Sequence, residues 1–161
     1  MNWPSCRPSA GAEMDSQVRL LTESFDPAGE IASFSKAHAE AGGIASFIGQ
    51  VRAGGGVEAL ELQHYEPLTL PGMQGLAEEV HSRWEMEGLL IVHRSGLMYP
   101  GDPIVLVAAA SRHRRDAFAA AEFAMDHLKS DSWFWKRELA NGEWRWVQPR
   151  EQDFEDIRRW A

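Results

Sequence analysis

Cysteine occurs once in the 161 residues, as Cys6, so no disulfide can close within the chain, which fits a reducing compartment. No Cys/His pairs stand at zinc-binding spacing, and no metal or cofactor is expected. No apolar run reaches the length needed to cross a bilayer. Residues 1–16 lack the apolar centre of a secretory signal; their Pro, Ser, Gly and Ala content reads as a disordered leader that contains Cys6. Internal repeats, a Gly-x-Ser-x-Gly elbow and a dinucleotide fingerprint are all missing. Gly54-Gly55-Gly56 is followed by neither Gly-Lys-Ser/Thr nor a helix, which excludes a phosphate loop and leaves a flexible hairpin connection. Positive charge is short overall: the net charge of −8 argues against broad nucleic-acid binding, so any anion site must be a local concentration of cations.

Lysine is the scarcest charged residue. There are three, and two of them, Lys129 and Lys136, lie seven positions apart with Arg137 beside them. Arginine keeps its proton at working pH, whereas a lysine among like charges can lose its own. A neutral amine can attack a carbonyl or move a proton. Trp133, Phe134 and Trp135 lie between the two, and such an aromatic run is buried or binds something.

Hydrophobic residues make up 44% of the chain, enough for one packed domain, read here as residues 17–161. Residues 18–25 favour a first strand. Asp26-Pro27 then opens a helix with Ile31, Phe34, Ser35 and His38 at helical spacing, ending near Gly42-Gly43, with His38 on its surface. Residues 43–52 are almost wholly apolar up to Arg52 and read as a central strand. Residues 57–66 alternate as a third strand, with Leu60, Leu62 and His64 on one face. Residues 67–72 read as a turn-rich linker, followed by an amphipathic helix over 73–84. Residues 89–94 and 104–110 read as buried strands around a turn at Tyr99-Pro100-Gly101-Asp102.

Ser111 to Asp116 is a basic turn at the mouth of a helix whose apolar face is read as Phe118, Ala121, Met125 and Leu128, with Lys129 a turn beyond Met125. His113 and Arg114 there join free backbone donors and the positive end of the helix dipole, an arrangement suited to phosphate or carboxylate. Asn141-Gly142 between β-favouring runs marks a hairpin over 133–147 that sets Phe134 and Lys136 on the face opposite Trp133 and Trp135. Residues 151–161 form a terminal helix or tail. The fold class is α+β, a mixed or antiparallel sheet with cover helices and a C-terminal β-hairpin.

Over residues 18–159 the chain resembles the catalytic, or large, subunits of molybdopterin synthase. The resemblance is carried by Phe47-x-Gly49-x-Val51-Arg52, His93-Arg94-x-Gly96, Pro100-Gly101-Asp102, Ser111-x-His113-Arg114, and Met125-Asp126-x-Leu128-Lys129 with Trp135-Lys136-Arg137-Glu138, in that order. It implies an α/β hammerhead-like fold and a cytoplasmic sulfurtransferase. That enzyme puts two sulfurs into a cyclic pyranopterin monophosphate to make the molybdopterin dithiolene. Sulfur arrives as a thiocarboxylate on the Gly-Gly C-terminus of a small ubiquitin-like partner, and a homodimer of large subunits carries one partner at each end, as a heterotetramer.

By the same resemblance Lys129 is the main catalytic residue and Lys136 assists it. Substrate contacts fall to Gln50, Val51, Arg52, His113, Arg114, Lys129, Lys136, Arg137 and Glu138, with Phe47, Met125 and Arg150 as pocket lining. The chain departs from the pattern at Trp133, where many members have proline, at Gln50, where some have lysine, and in the short glycine-rich loop after Arg52. Two other readings stand beside this one: a non-catalytic module that docks a ubiquitin-like tail, and another lysine-dependent enzyme acting on a phosphorylated metabolite through a Schiff base.

Overall fold

The computed structural model describes residues 15–131 and 133–161; most of the expected leader, with Cys6, lies outside them. Among the described residues, eight strands and four helices follow in the order β1 (Ser16–Leu21), α1 (Pro27–Ala37), β2 (Gly43–Gln50), β3 (Val57–His64), α2 (Glu66–Arg83), β4 (Met86–Arg94), β5 (Gly96–Met98), β6 (Pro103–Ser111), α3 (Arg114–Ser130), β7 (Phe134–Ala140), β8 (Glu143–Val147) and α4 (Glu151–Arg158). They build two four-stranded sheets, β1-β4-β6-β2 and β5-β3-β7-β8. The first is mixed, with β1 parallel to β4 and the other pairs antiparallel; the second is wholly antiparallel.

The apolar runs of β4 and β6 are explained by helices on both faces of the first sheet. Successive side chains alternate faces. Leu89, Ile91, Val105, Val107 and Ala109 pack with Met73, Leu76 and Val80 of α2 and Phe123, Ala124 and Leu128 of α3. Leu90, Val92, Leu106, Ala108 and Ala110 pack with Phe34 of α1. A third cluster, Val51, Leu60, Leu62 and Met98, covers the inner face of the second sheet and meets Ile104 and Phe134.

Several expectations are corrected. The strand over 43–52 is not central: β2 is an edge that pairs with β6 alone, and Phe47 and Ile48 are 45% and 41% exposed. The run is apolar although only part of it is buried: Ala45 is in the core, while the neighbours Phe47 and Ile48, on opposite faces of the strand, are both exposed. The 67–72 segment is not a linker but the first turns of α2. Pro67 sits where the helix has no intrahelical bond to lose, and Pro71 costs only the bond to Pro67's carbonyl. The first strand stops at Leu21, and Phe25 turns back onto the α1 cluster. His38 is not a surface residue. It caps α1, is buried, and bonds the Phe34 carbonyl (2.8 Å) and Asp15 (2.7 Å). On α3 the buried stripe is Ala117, Ala120, Ala121, Phe123, Ala124 and Leu128, while Phe118 is 64% exposed. Alanines let the helix lie close on the sheet, so the larger Phe118 is not needed there.

Candidate active site

The last turn of α3 carries Lys129, and three other segments bring charge to it: Lys136 on β7, Arg52 just after β2, and Arg150 with Asp153 at the start of α4. Lys129 is exposed to solvent at the surface, yet enough protein surrounds its amine to disfavour the charged form. Desolvation by the surrounding protein is the largest cause of its lowered pKa. The positive charge of Lys136 lowers it further, as do Arg150 and Arg52, and Asp153 alone works the other way. The mutual repulsion of the two lysines read from the sequence is therefore present but second to desolvation.

The surroundings of Lys129 are fixed by ordinary local rules. Lys136 sits one strand step beyond Phe134 on the inward face of β7, with its Nζ 3.7 Å from Glu138 Oε1. It opens onto a cleft of about 240 Å³ bordered by Phe134, Trp135, Trp146, Val147, Gln148 and Pro149. Arg150 and Asp153 lock the entry to α4. The Arg150 backbone N–H donates to Asp153 Oδ2 (2.9 Å) and its guanidinium donates to Oδ1 (3.0 Å). Burial of the Asp153 carboxyl opposes ionisation, and the hydrogen bonds from Arg150 with the charge of Lys129 more than offset it, so its pKa falls. The Val51 N–H donates to the Asp102 carbonyl (2.9 Å), and the Val51 carbonyl accepts from Gly101 (2.8 Å). Those bonds set the chain direction from which Arg52 leaves β2.

Not every expected site residue joins this cluster. Arg137 alternates to the outer face of β7, where it pairs with Glu61 and lies over Trp144 (4.5 Å) and Trp146 (5.7 Å). The Val51 side chain is in the core and both its backbone groups are taken, so it supports Arg52 from beneath. Phe47 is exposed on β2, Gln50 lies at a register shift beside Gly49, and Met125 is partly buried one turn before Lys129. His113 and Arg114 are exposed at the other end of α3, against Gly43 at the start of β2. The helix and the β2 strand run side by side in the same direction, so Arg114 marks one end and Lys129, with Arg52, the other. Fifteen helical steps along α3 separate Arg114 from Lys129, by about 22 Å at 1.5 Å per residue.

Two residues at the site had no role in the sequence reading. Asp153 fell in the segment read as a terminal helix or tail; its spacing of three after Arg150, at a helix start, is the available signal. His93, buried at the end of β4, stacks on Phe134 at 4.0 Å; the motif His93-Arg94-x-Gly96 marked it without saying why.

A lysine with a lowered pKa, with cations around it in a two-sheet α+β domain, defines a class of protein: one that handles an anionic substrate with an amine. Comparison with known proteins narrows the class. The MoaE protein family matches residues 20–131, and the chain belongs to that family. A molybdopterin synthase catalytic subunit from Brucella melitensis is 44% identical over 146 residues, 89% of this chain and 90% of the relative. One from Cereibacter sphaeroides is 41% identical over 145 residues, covering 89% and 99%. Among solved structures, molybdopterin cofactor biosynthesis protein E from Burkholderia multivorans superposes with a TM-score of 0.76 at 40% identity, covering 92% of this chain and 97% of that one.

Proposed function

We propose that this chain is the catalytic subunit of a molybdopterin synthase, acting in the cytoplasm with residues 17–161 as its working domain. In this reading it moves sulfur from the C-terminal thiocarboxylate of a small ubiquitin-like Gly-Gly subunit to cyclic pyranopterin monophosphate, in two successive deliveries. The observation that carries the reading is Lys129: an amine with a lowered pKa, close to Lys136, Arg150 and Arg52, cations that suit a phosphate-bearing substrate and a thiocarboxylate tail. Lys129 handles protons or engages the partner's terminal carbonyl, Lys136 assists from β7, and Arg52 and Arg150 hold anionic groups. Glu138 keeps Lys136 in place through their ion pair.

The separation of Arg114 from Lys129 along α3 supports a pocket shared between two large subunits, the His113-Arg114 turn of one reaching Lys129 of the other. The one-sided pairing of β2, with Phe47 and Ile48 exposed, supports association of the domain with other chains. Among the described residues no helix is long and apolar enough to cross a membrane.

The test is single turnover: the purified chain, the thiocarboxylated small subunit and the pterin precursor, with product followed as the dithiolene. Formation of molybdopterin in stoichiometric step with loss of thiocarboxylate is the expected result. Tight binding of the small subunit with no product would favour a docking module, and a borohydride-trapped adduct with another phosphorylated carbonyl compound would favour a Schiff-base enzyme.

A further inference from the structure

The eight residues of α4 bury little of their own: within Glu151–Arg158 only Asp153 is buried, and Phe154 is 44% exposed. A helix that short does not hold itself together in water, so its place depends on what grips it. The grip comes from one stripe of α3. Glu122, Asp126 and Ser130 follow at intervals of four and line the same side of that helix, with Lys129 three residues after Asp126. Asp126 Oδ2 accepts from Arg159 Nη2 (2.6 Å) and Nε (3.2 Å) and from Trp160 Nε1 (2.6 Å). Glu122 pairs with the same guanidinium at 2.9 Å. At the other end of α4 the Ser130 hydroxyl lies 3.0 Å from the Asp153 carbonyl oxygen and 2.5 Å from that of Asp126. Thus α4 runs antiparallel to α3, and its first turn meets the turn that carries Lys129.

Asp126 makes these bonds from a sheltered position, its side chain 14% exposed. Charge-assisted bonds to a carboxylate are the strong ones. The Trp160 indole stands edge-on to Trp84 (5.9 Å between ring centroids) and Phe123 (5.3 Å), and Arg83 Nη1 donates to the Trp160 carbonyl (3.0 Å). The two donors that Asp126 takes are therefore themselves seated on α2 and α3.

We propose that Asp126 is a positioning residue of the lysine site: by gripping Arg159 and Trp160 it fastens α4 along α3, and so fixes Arg150 and Asp153 against the end of α3 that carries Lys129. The proposal rests on the reading of Lys129 as the reacting amine. Asp126 acts at one remove, through the groups it places. Asp153 raises the pKa of Lys129 and Arg150 lowers it from the positions in which this fastening holds them. Lys136 from β7 and Arg52 after β2 also lower it and do not depend on α4, and the charge of Lys129 reaches His93 at the end of β4.

The test is a double-mutant cycle on the full chain. Asp126→Ala removes the grip. Arg159→Gln with Trp160→Phe removes its donors and leaves Asp126 in place. Each is combined with Asp153→Asn. The readout is the pH midpoint for labelling of Lys129 by an amine reagent, followed by mass spectrometry without any sulfur transfer. In the parent chain Asp153→Asn removes a carboxylate that favours the charged amine, so the midpoint should move to lower pH. In both fastening variants the same substitution should shift it less than half as far, because the carboxylate has already left Lys129. Single turnover at low substrate should slow at least about tenfold in Asp126→Ala, as Arg150 is lost to the substrate. A residue that serves stability alone would leave the effect of Asp153→Asn intact. A full shift in either folded background, an unmoved midpoint for Asp153→Asn in the parent chain, or a wild-type rate in a folded Asp126→Ala would each overturn the proposal. If Asp126→Ala does not fold, the Arg159→Gln and Trp160→Phe chain decides. Activity surviving in Lys129→Ala would instead remove the underlying reading, and the labelling cycle would still report whether Asp126 places α4.

Discussion

Lys129 differs from other exposed lysines through its neighbours, and each neighbour has a definite sign. Removing the amine in Lys129→Ala should abolish product formation while unfolding stays within about 0.5 kcal/mol of wild type, because a helix-end lysine contributes little to the core. Circular dichroism and thermal melts check the fold, and single turnover checks the chemistry. Activity that needs the neutral amine rises with pH through the Lys129 pKa, so the rising limb should lie below the ordinary lysine range. Lys136→Met removes a repelling charge and should move that limb to higher pH. Asp153→Asn removes the one opposing carboxylate and should move it to lower pH. Limbs that shift the same way in both variants would mean that the limb belongs to another group. Arg52 and Arg114 make a separate prediction. If they grip phosphate with two prongs, Arg52→Lys and Arg114→Lys each keep the charge yet weaken substrate binding, by about tenfold if one charge-assisted hydrogen bond is lost. Unchanged affinity in a substrate titration would place both side chains in solvent.

Among the elements, the legible ones were those whose signal is local. Asn141-Gly142 announced the β7-β8 hairpin because both residues adopt positive φ there, and Asp26-Pro27 announced α1. Lys129 and Lys136 were legible as a pair because lysine is otherwise so rare. Elements that depend on partners were not legible. β5 is three residues long and exists because β3 offers it an edge. The edge position of β2 follows from the sheet order, which no local pattern encodes. Arg137, expected at the site by resemblance, lies by strand alternation on the face of β7 opposite Lys136, a placement set by the pairing with β3.

Trp133 shows the same dependence on a partner and permits a test. Its indole lies over Gly72 of α2, where an added Cβ would come within 2.5 Å of the ring. A helix-interior Gly→Ala normally stabilises by up to about 1 kcal/mol, whereas forcing a methyl into a filled contact costs about 1–3 kcal/mol. The clash should win, so Gly72→Ala should destabilise the native chain and stabilise a Trp133→Ala chain. Chemical denaturation of the four proteins in this cycle measures the coupling, and additive effects would show that the indole does not pack there.

At the scale of the whole molecule the question is how Arg114 and Lys129 can serve one substrate from opposite ends of α3. The helix is straight enough to keep them about 22 Å apart, and a small phosphorylated pterin does not span that distance. Within one chain the Lys129 end already gathers Lys136, Arg52, Arg150 and His93, while the Arg114 end is exposed and contributes no charge to it. A twofold dimer resolves this if each pocket takes Lys129 from one subunit and the His113-Arg114 turn from the other, because an isologous contact repeats the same exchange in both directions. Arg114→Ala and Lys129→Ala homodimers would then each be nearly inactive, since every pocket carries one defect. In a mixed dimer one pocket collects both defects and the other none, so about half of the wild-type activity should return per mixed dimer. Differently tagged chains, co-expressed and purified through both tags, provide the sample, with the small subunit in excess. A mixed dimer that binds the small subunit, stays folded and shows no recovery would mean that each pocket is built within a single chain, and that Arg114 acts at a different place from Lys129.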